Sequence, residues 1–295
     1  MAEFEEHQEE ASPAPPLLEI DALRVFEGTL ECPEILRSGG NSLALLGKAQ
    51  RLLGVFTEAE IPSAGSVRLL GCNAQELFQK QIAGYAPQRL PLFDGVRLDE
   101  ALTVSARLVG FDKADVQSAL ERCHLTSHAK SPLGRLSRLQ HRLAGLAHGL
   151  CGSPSLLVAE NLLSDLDDAE ADLIESILDV ELRACRWIMA LDGDSPSSRN
   201  ILALADEVLG ASESRLLGPL SPDQLRPDGF WVVGNKNIPA LAARLRSFEA
   251  IVTQSPRSTV LLVHGVTGRE IFRAAQLEDA ELVELLPTVN ALEPC

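Results

Sequence analysis

The chain has 295 residues, 45% of them apolar, and a formal net charge of −16. That length holds one large domain and a small one, and so acidic a balance excludes a nucleic-acid partner, which needs a basic patch to neutralise phosphates. No stretch approaches the roughly 18 apolar residues of a membrane helix, and the acidic start MAEFEEHQEE lacks the order of a signal peptide, so the chain reads as cytoplasmic, without direct membrane insertion.

Residues 1–17 combine acids with Pro13, Pro15 and Pro16 and predict a disordered acidic tail. Short apolar runs then alternate with helical periodicity. Strands are predicted over 18–23, 42–46 and 66–70, and a helix over 49–56 from its i, i+3, i+4 spacing. Further helices follow over 99–109, 113–123 (Asp112 its cap) and 136–150. A strand over 155–159, a helix over 168–182 and a strand over 187–191 complete a first domain, 18–217. This alternation predicts an α/β fold with a mostly parallel sheet. Gly218-Pro219 and Arg226-Pro227-Asp228-Gly229 mark a linker, 218–229. Residues 230–295 then repeat the order βαββαβ, a small α+β domain of ferredoxin-like arrangement.

The six cysteines are scattered and include no Cys-x-x-Cys pair, so they read as buried small side chains and no metal site is expected. His141 and His148 lie seven apart on a predicted helix, with no ligand partner in the pattern.

Several motifs occur in one order. Gly84-Tyr85-Ala86-Pro87-Gln88 is followed by LFDGVRLDEALTVSARLVGF, then Leu136-Ser137-Arg138-Leu139-Gln140, then Glu160 after an apolar strand, then Ser164-Asp165-Leu166-Asp167. From Leu17 to Leu217 this series resembles the ATP-binding subunits of ABC transporters, a P-loop fold with a helical subdomain. The resemblance makes Gln88 the Q-loop glutamine and places Ser137, Arg138 and Gln140 in the signature. It puts Glu160 at the Walker B aspartate, and Ser164 and Asp167 in the D-loop. Phe26 falls where the family stacks an aromatic on adenine. The end of the chain, residues 284–293, is similar to that of exporter-type members carrying a small appended domain.

The chemistry of that family needs a loop G-x-x-x-x-G-K-[ST], whose N–H groups cradle phosphates and whose hydroxyl holds magnesium. Here the strand 43–46 runs directly into Gly47-Lys48-Ala49, with the loop shortened and a methyl in place of the hydroxyl. Lys48 reads as a solvated helix-start residue or, alternatively, as a phosphate ligand. Asn161 stands where the family has a general base, and an amide accepts no proton. Glu160 reads as a strand-end acid or as a residual metal holder. Between His148 and His264 the chain has no histidine to contact a γ-phosphate, and Asp192-Gly193-Asp194 lies at that position. Arg138 and Leu139 replace both signature glycines, so side chains block a close backbone approach.

No catalytic residue is therefore expected, no cofactor is required, and ATP with magnesium is in doubt. The leading expectation is a catalytically inactive subunit that pairs with an active ATPase subunit and a membrane permease, peripheral at the inner face of the membrane, with 91–111 as the docking region. A divergent, slow ATPase and a soluble scaffold or regulator remain as alternatives.

Overall fold

The computed structural model describes residues 15–25, 30–191, 196–212, 215–225, 229–254 and 259–287. Phe26, the 192–194 segment and the 288–293 portion of the C-terminal phrase lie outside the described residues.

One sheet organises the first domain. Its strands are β1 (Leu18–Val25), β2 (Glu31–Ser38), β3 (Ser42–Leu46), β4 (Pro62–Leu69), β5 (Ala83–Ala86), β6 (Leu156–Glu160), β7 (Arg186–Leu191), β8 (Glu207–Ser212) and β9 (Arg215–Leu220). They lie in the order β4-β1-β2-β9-β8-β3-β7-β6-β5. The run β8-β3-β7-β6-β5 is parallel throughout. β1 pairs antiparallel with β2 and β4, and β8 with β9, while β2 meets β9 in parallel. Five of these eight pairings are parallel, as expected, and the sheet is mixed because β1 runs antiparallel to both its neighbours and β9 returns antiparallel beside β8.

Burial explains the strands. β3 and β6 read as continuous apolar runs because both faces of the parallel sheet are covered. β1 instead alternates, with Leu18, Ile20, Leu23 and Val25 buried. A bulge between Asp21 and Leu23, with Ala22 at φ +45°, resets the alternation by one residue. β4 begins at Pro62, earlier than the expected 66, and the first helix is a 3-10 turn, Gly47–Arg51, leading into only five α-helical residues, α1 (Leu52–Phe56). A six-residue helix, α2 (Ala74–Gln79), precedes β5. Leu17 belongs to the core rather than to a tail: it is fully buried and its N–H donates to the Ser38 carbonyl at 2.9 Å.

A helical layer, α3 (Leu98–Leu108), α4 (Lys113–Arg122) and α5 (Arg138–Leu150), covers the β5 end. α4 begins at Asp112 in a capping box with Asp115. Leu143, Leu146, Ala147 and Leu150 bury one face of α5, each leucine contributing about 1.5–3 kcal/mol. Two contacts bring α5 and β5 together backbone to backbone. A Cβ on Gly145 would lie 1.9 Å from the Pro87 carbonyl oxygen, and one on Gly84 would lie 1.8 Å from that of Gly149. α6 (Asp168–Glu181) and α7 (Pro196–Leu204) complete the layer.

Residues 218–220, expected as linker, finish β9. Beyond them β10 (Phe230–Lys236), α8 (Ile238–Arg246), β11 (Ile251–Gln254), β12 (Val260–His264), α9 (Gly268–Leu277) and β13 (Glu281–Pro287) form a second unit. Its antiparallel sheet has the order β11-β12-β10-β13. Val232, Leu241, Leu245, Leu261 and Ile271 build its core on the helical side. On the other side Trp231, Val233 and Leu262 pack with Leu217 and Leu220 of β9. No helix among the described residues is long and apolar enough to cross a membrane.

Candidate functional site

The C-terminal ends of β3 and β6 open on a cavity of about 350 Å³, lined by Gly47, Lys48, Gln50, Arg51, Tyr85, Glu160 and Asn161 among others. Parallel strands place these residues together, since ligand crevices of open α/β sheets lie beyond the carboxyl ends of the strands. The fold therefore gathers Gly47, Lys48 and Glu160 into one place.

The turn from β3 is abrupt. Gly47 has φ +54°, a conformation that glycine adopts without cost, and the 3-10 turn starts there with no intervening loop. Ala49 is fully buried in the core between sheet and α1. The methyl at the expected magnesium position thus faces packed side chains. The spacing alone left Ala49 on a helix start; its burial is what the structure adds.

Glu160, at the tip of β6, is engaged by the protein's own donors. Its Oε2 accepts from the Tyr85 hydroxyl at 3.0 Å and from the Gln88 N–H at 3.2 Å. Burial first, then the adjacent Glu160 charge, push the Tyr85 phenol well above its usual range. Asn161 sits at φ +40°, in the left-handed region that asparagine tolerates. Its Nδ2 donates to Gln50 Oε1 at 2.8 Å, and Gln50 Nε2 donates to the Leu191 carbonyl at 3.0 Å. Gln50 thereby bridges the ends of β6 and β7 from the turn after β3.

Gln88 is held through its backbone on both sides. Arg142, 7% exposed on α5, donates to the Gln88 carbonyl at 2.8 Å and to the Ser164 carbonyl at 3.2 Å. Burial lowers the Arg142 pKa, but a guanidinium stays protonated in proteins. Under the same strand, His148 Nδ1 lies 2.7 Å from the Tyr85 carbonyl. Because a carbonyl only accepts, this nitrogen carries the proton, and burial holds the ring neutral by lowering its pKa.

The residues expected in the signature and D-loop form a second group. Ser137 and Gln140 make a capping box at the start of α5: Gln140 N–H donates to Ser137 Oγ at 3.2 Å and Ser137 N–H to Gln140 Oε1 at 2.8 Å. Arg138 donates to the Asp165 carbonyl, tying the start of α5 to the turn before α6. Asp167 caps α6 in a box with Glu170. Ser164 N–H donates to the Asn161 carbonyl at 3.2 Å. The side chains of Ser137, Arg138, Gln140 and Asp167 thus have local structural partners, and Ser164 is held through its backbone.

Gln50, Tyr85 and Arg142 are the residues that motif reading missed as site members. Gln50 carries no signal in its spacing. Tyr85 stood inside the quoted Q-loop phrase, and Arg142 was findable as a charge on the buried face of α5, three residues before Gly145 and seven before Gly149.

No protein-family model matches the chain. It is 25% identical over 213 residues to the osmoprotectant import ATP-binding protein OsmV of Salmonella typhimurium, covering 69% of this chain and 53% of that one. It is 28% identical over 141 residues to the uncharacterized ABC transporter ATP-binding protein YxlF of Bacillus subtilis, covering 46% of this chain and 45% of the relative. The chain thus spans about half the length of these curated relatives. In fold it is similar to cbiO1 of Clostridium perfringens, part of the ABC transporter complex cbiONQ, with a TM-score of 0.57 at 17% identity over 72% of this chain and 90% of that one. Relatives in sequence and neighbours in fold agree: the chain is similar in both to the ATP-binding proteins of ABC transporters.

Proposed function

We propose that this chain is a catalytically inactive ATP-binding-type subunit with a structural or regulatory role in an ABC transporter, pairing with an active ATPase subunit and docking on a permease. One observation carries the reading. At the expected nucleotide position Glu160 Oε2 is taken by Tyr85 and Gln88, and the Asn161 amide N–H by Gln50. With Ala49 buried, the turn after β3 offers neither loop nor hydroxyl to a magnesium nucleotide.

The docking region follows the Q-loop. Leu92, Phe93, Val104, Leu108 and Val109 are exposed there, Phe93 at 84%. A cluster of exposed apolar side chains marks an interaction surface, and a permease would hold the chain at the inner face of the membrane. We read the C-terminal unit as the ferredoxin-like appendage of the exporter-type subgroup, on its order βαββαβ and the similarity of residues 284–293.

Calorimetry of the folded chain with magnesium ATP, up to millimolar nucleotide, tests the proposal. No binding heat is expected. A dissociation constant below about 100 μM, roughly 5.5 kcal/mol, overturns it. The competing reading, a divergent slow ATPase, draws on Lys48 and Arg51 lining the cavity with Glu160. It requires steady hydrolysis that disappears in Lys48→Ala.

A further inference from the structure

A cavity of about 400 Å³ lies where the two units meet, away from the nucleotide position. Its walls come from β2 (Ile35, Arg37), β9 (Arg215 to Leu220), β10 (Trp231) and β12 (Leu262), with Thr253 and Thr259 beside them. Such a volume suits a small organic ligand, and junctions between domains are where such sites concentrate.

Two features define what would fill it. The first is an unused donor. Trp231 is 3% exposed, and its indole Nε1–H has no hydrogen-bond partner. An indole nitrogen only donates, so its missing partner must be an acceptor. Orphaned buried donors are rare and call for an explanation. The second is charge. In a chain with 42 Asp and Glu against 26 Lys and Arg, the described residues that line this cavity include two arginines and no acid. Arg37 shares its charge with Glu19 at 2.7 Å. Arg215 donates to the Thr259 hydroxyl at 2.9 Å, and none of the ion pairs among the described residues engages it. Ile35, Leu217, Leu220 and Leu262 supply the apolar wall.

We propose that this junction is a binding site for a small monocarboxylate with an apolar body. The carboxylate accepts from the Trp231 indole and the Arg215 guanidinium, and the body packs on β9 and β12. Because the walls belong to both units, occupancy joins the appended unit to the first sheet.

Calorimetry of the full chain with phenylacetate, benzoate and isovalerate tests this, with phenylacetamide as the uncharged control. At least one carboxylate should bind saturably with a dissociation constant near or below about 1 mM, and the amide at least about tenfold more weakly. Trp231→Phe keeps the ring and removes the donor; Arg215→Gln removes the charge. Each should weaken binding at least about tenfold, and circular dichroism shows whether the fold is kept. Should Trp231→Phe unfold, Arg215→Gln decides alone. No saturable binding by all three acids, equal binding of the amide, or unchanged affinity in the folded variants overturns the proposal.

Discussion

Tyr85→Phe removes one hydroxyl from the cavity beyond β3 and β6 and leaves the ring in place. Tyr85 is the chain's single tyrosine, so its ionisation is directly visible. In the folded protein the hydroxyl donates to Glu160 Oε2 at 3.0 Å. A hydrogen bond to a charged group contributes about 1.5–3 kcal/mol. Both residues are only half-buried, and solvent screening reduces the expected loss to about 1 kcal/mol. For a chain of this size that lowers the melting temperature by about 2–4 °C. The pH dependence follows from the raised phenol pKa. Below the ordinary tyrosine value of about 10, neither state ionises and the stabilisation is fully present. Above it the unfolded chain loses the proton first, so stability falls with rising pH by up to about 1.4 kcal/mol per unit until the folded phenol also titrates. Urea unfolding at neutral pH and at alkaline pH measures both effects, and tyrosinate absorbance follows the phenol itself. A folded protein whose tyrosine ionises near 10, or a Tyr85→Phe variant with an unchanged urea midpoint, refutes the account of Glu160 as a carboxylate engaged by internal donors.

Gln50→Ala removes bonds of 2.8 and 3.0 Å and should cost about 1–3 kcal/mol in urea unfolding; a loss below about 0.5 kcal/mol means that the bridge from β6 to β7 contributes nothing. Gly145→Ala drives a methyl to 1.9 Å from the Pro87 carbonyl and should destabilise by about 1–3 kcal/mol or more, read as a lower urea midpoint; an unchanged midpoint contradicts the backbone contact of α5 and β5. The depressed pKa of His148 gives stability that is present above the ordinary histidine value of about 6.5 and lost as pH falls, by up to about 1.4 kcal/mol per unit. In His148→Gln the acid limb of the stability curve should flatten, as unfolding across pH 5–7 will show.

Apolar periodicity made the buried elements legible. The strand at 42–46 and the helix at 168–181 fall within a residue of expectation, because continuous burial or one buried face leaves an unmistakable pattern. Two interior strands, β2 and β9, escaped. β2 contains Pro33, which argues against a central strand, and its alternation of Cys32, Leu36 and Ser38 inward includes a polar residue. β9 contains Gly218-Pro219, read as a breaker, yet Gly218 at φ +113° stays within the pairing with β8 through a register shift between Val208 and Gly210. Of the site, the positions of Gly47, Lys48, Gln88 and Glu160 were readable from motif order. Their partners were not, since hydrogen bonds between residues 75 or 111 apart leave no trace in local spacing.

These partners change the argument about nucleotide. A shortened loop could in principle be opened by ligand, and sequence alone leaves that open. In this fold opening has a definite cost. A ligand that takes Glu160 Oε2 must displace the Tyr85 hydroxyl, and one that takes the Asn161 amide N–H must displace Gln50. Breaking those two contacts costs about 2–3 kcal/mol, a handicap of roughly 30- to 150-fold in affinity before any phosphate contact is made. The same contacts stabilise the empty protein by tying β5, β6 and β7 to the turn after β3. Here the strand ends are held by the protein's own side chains.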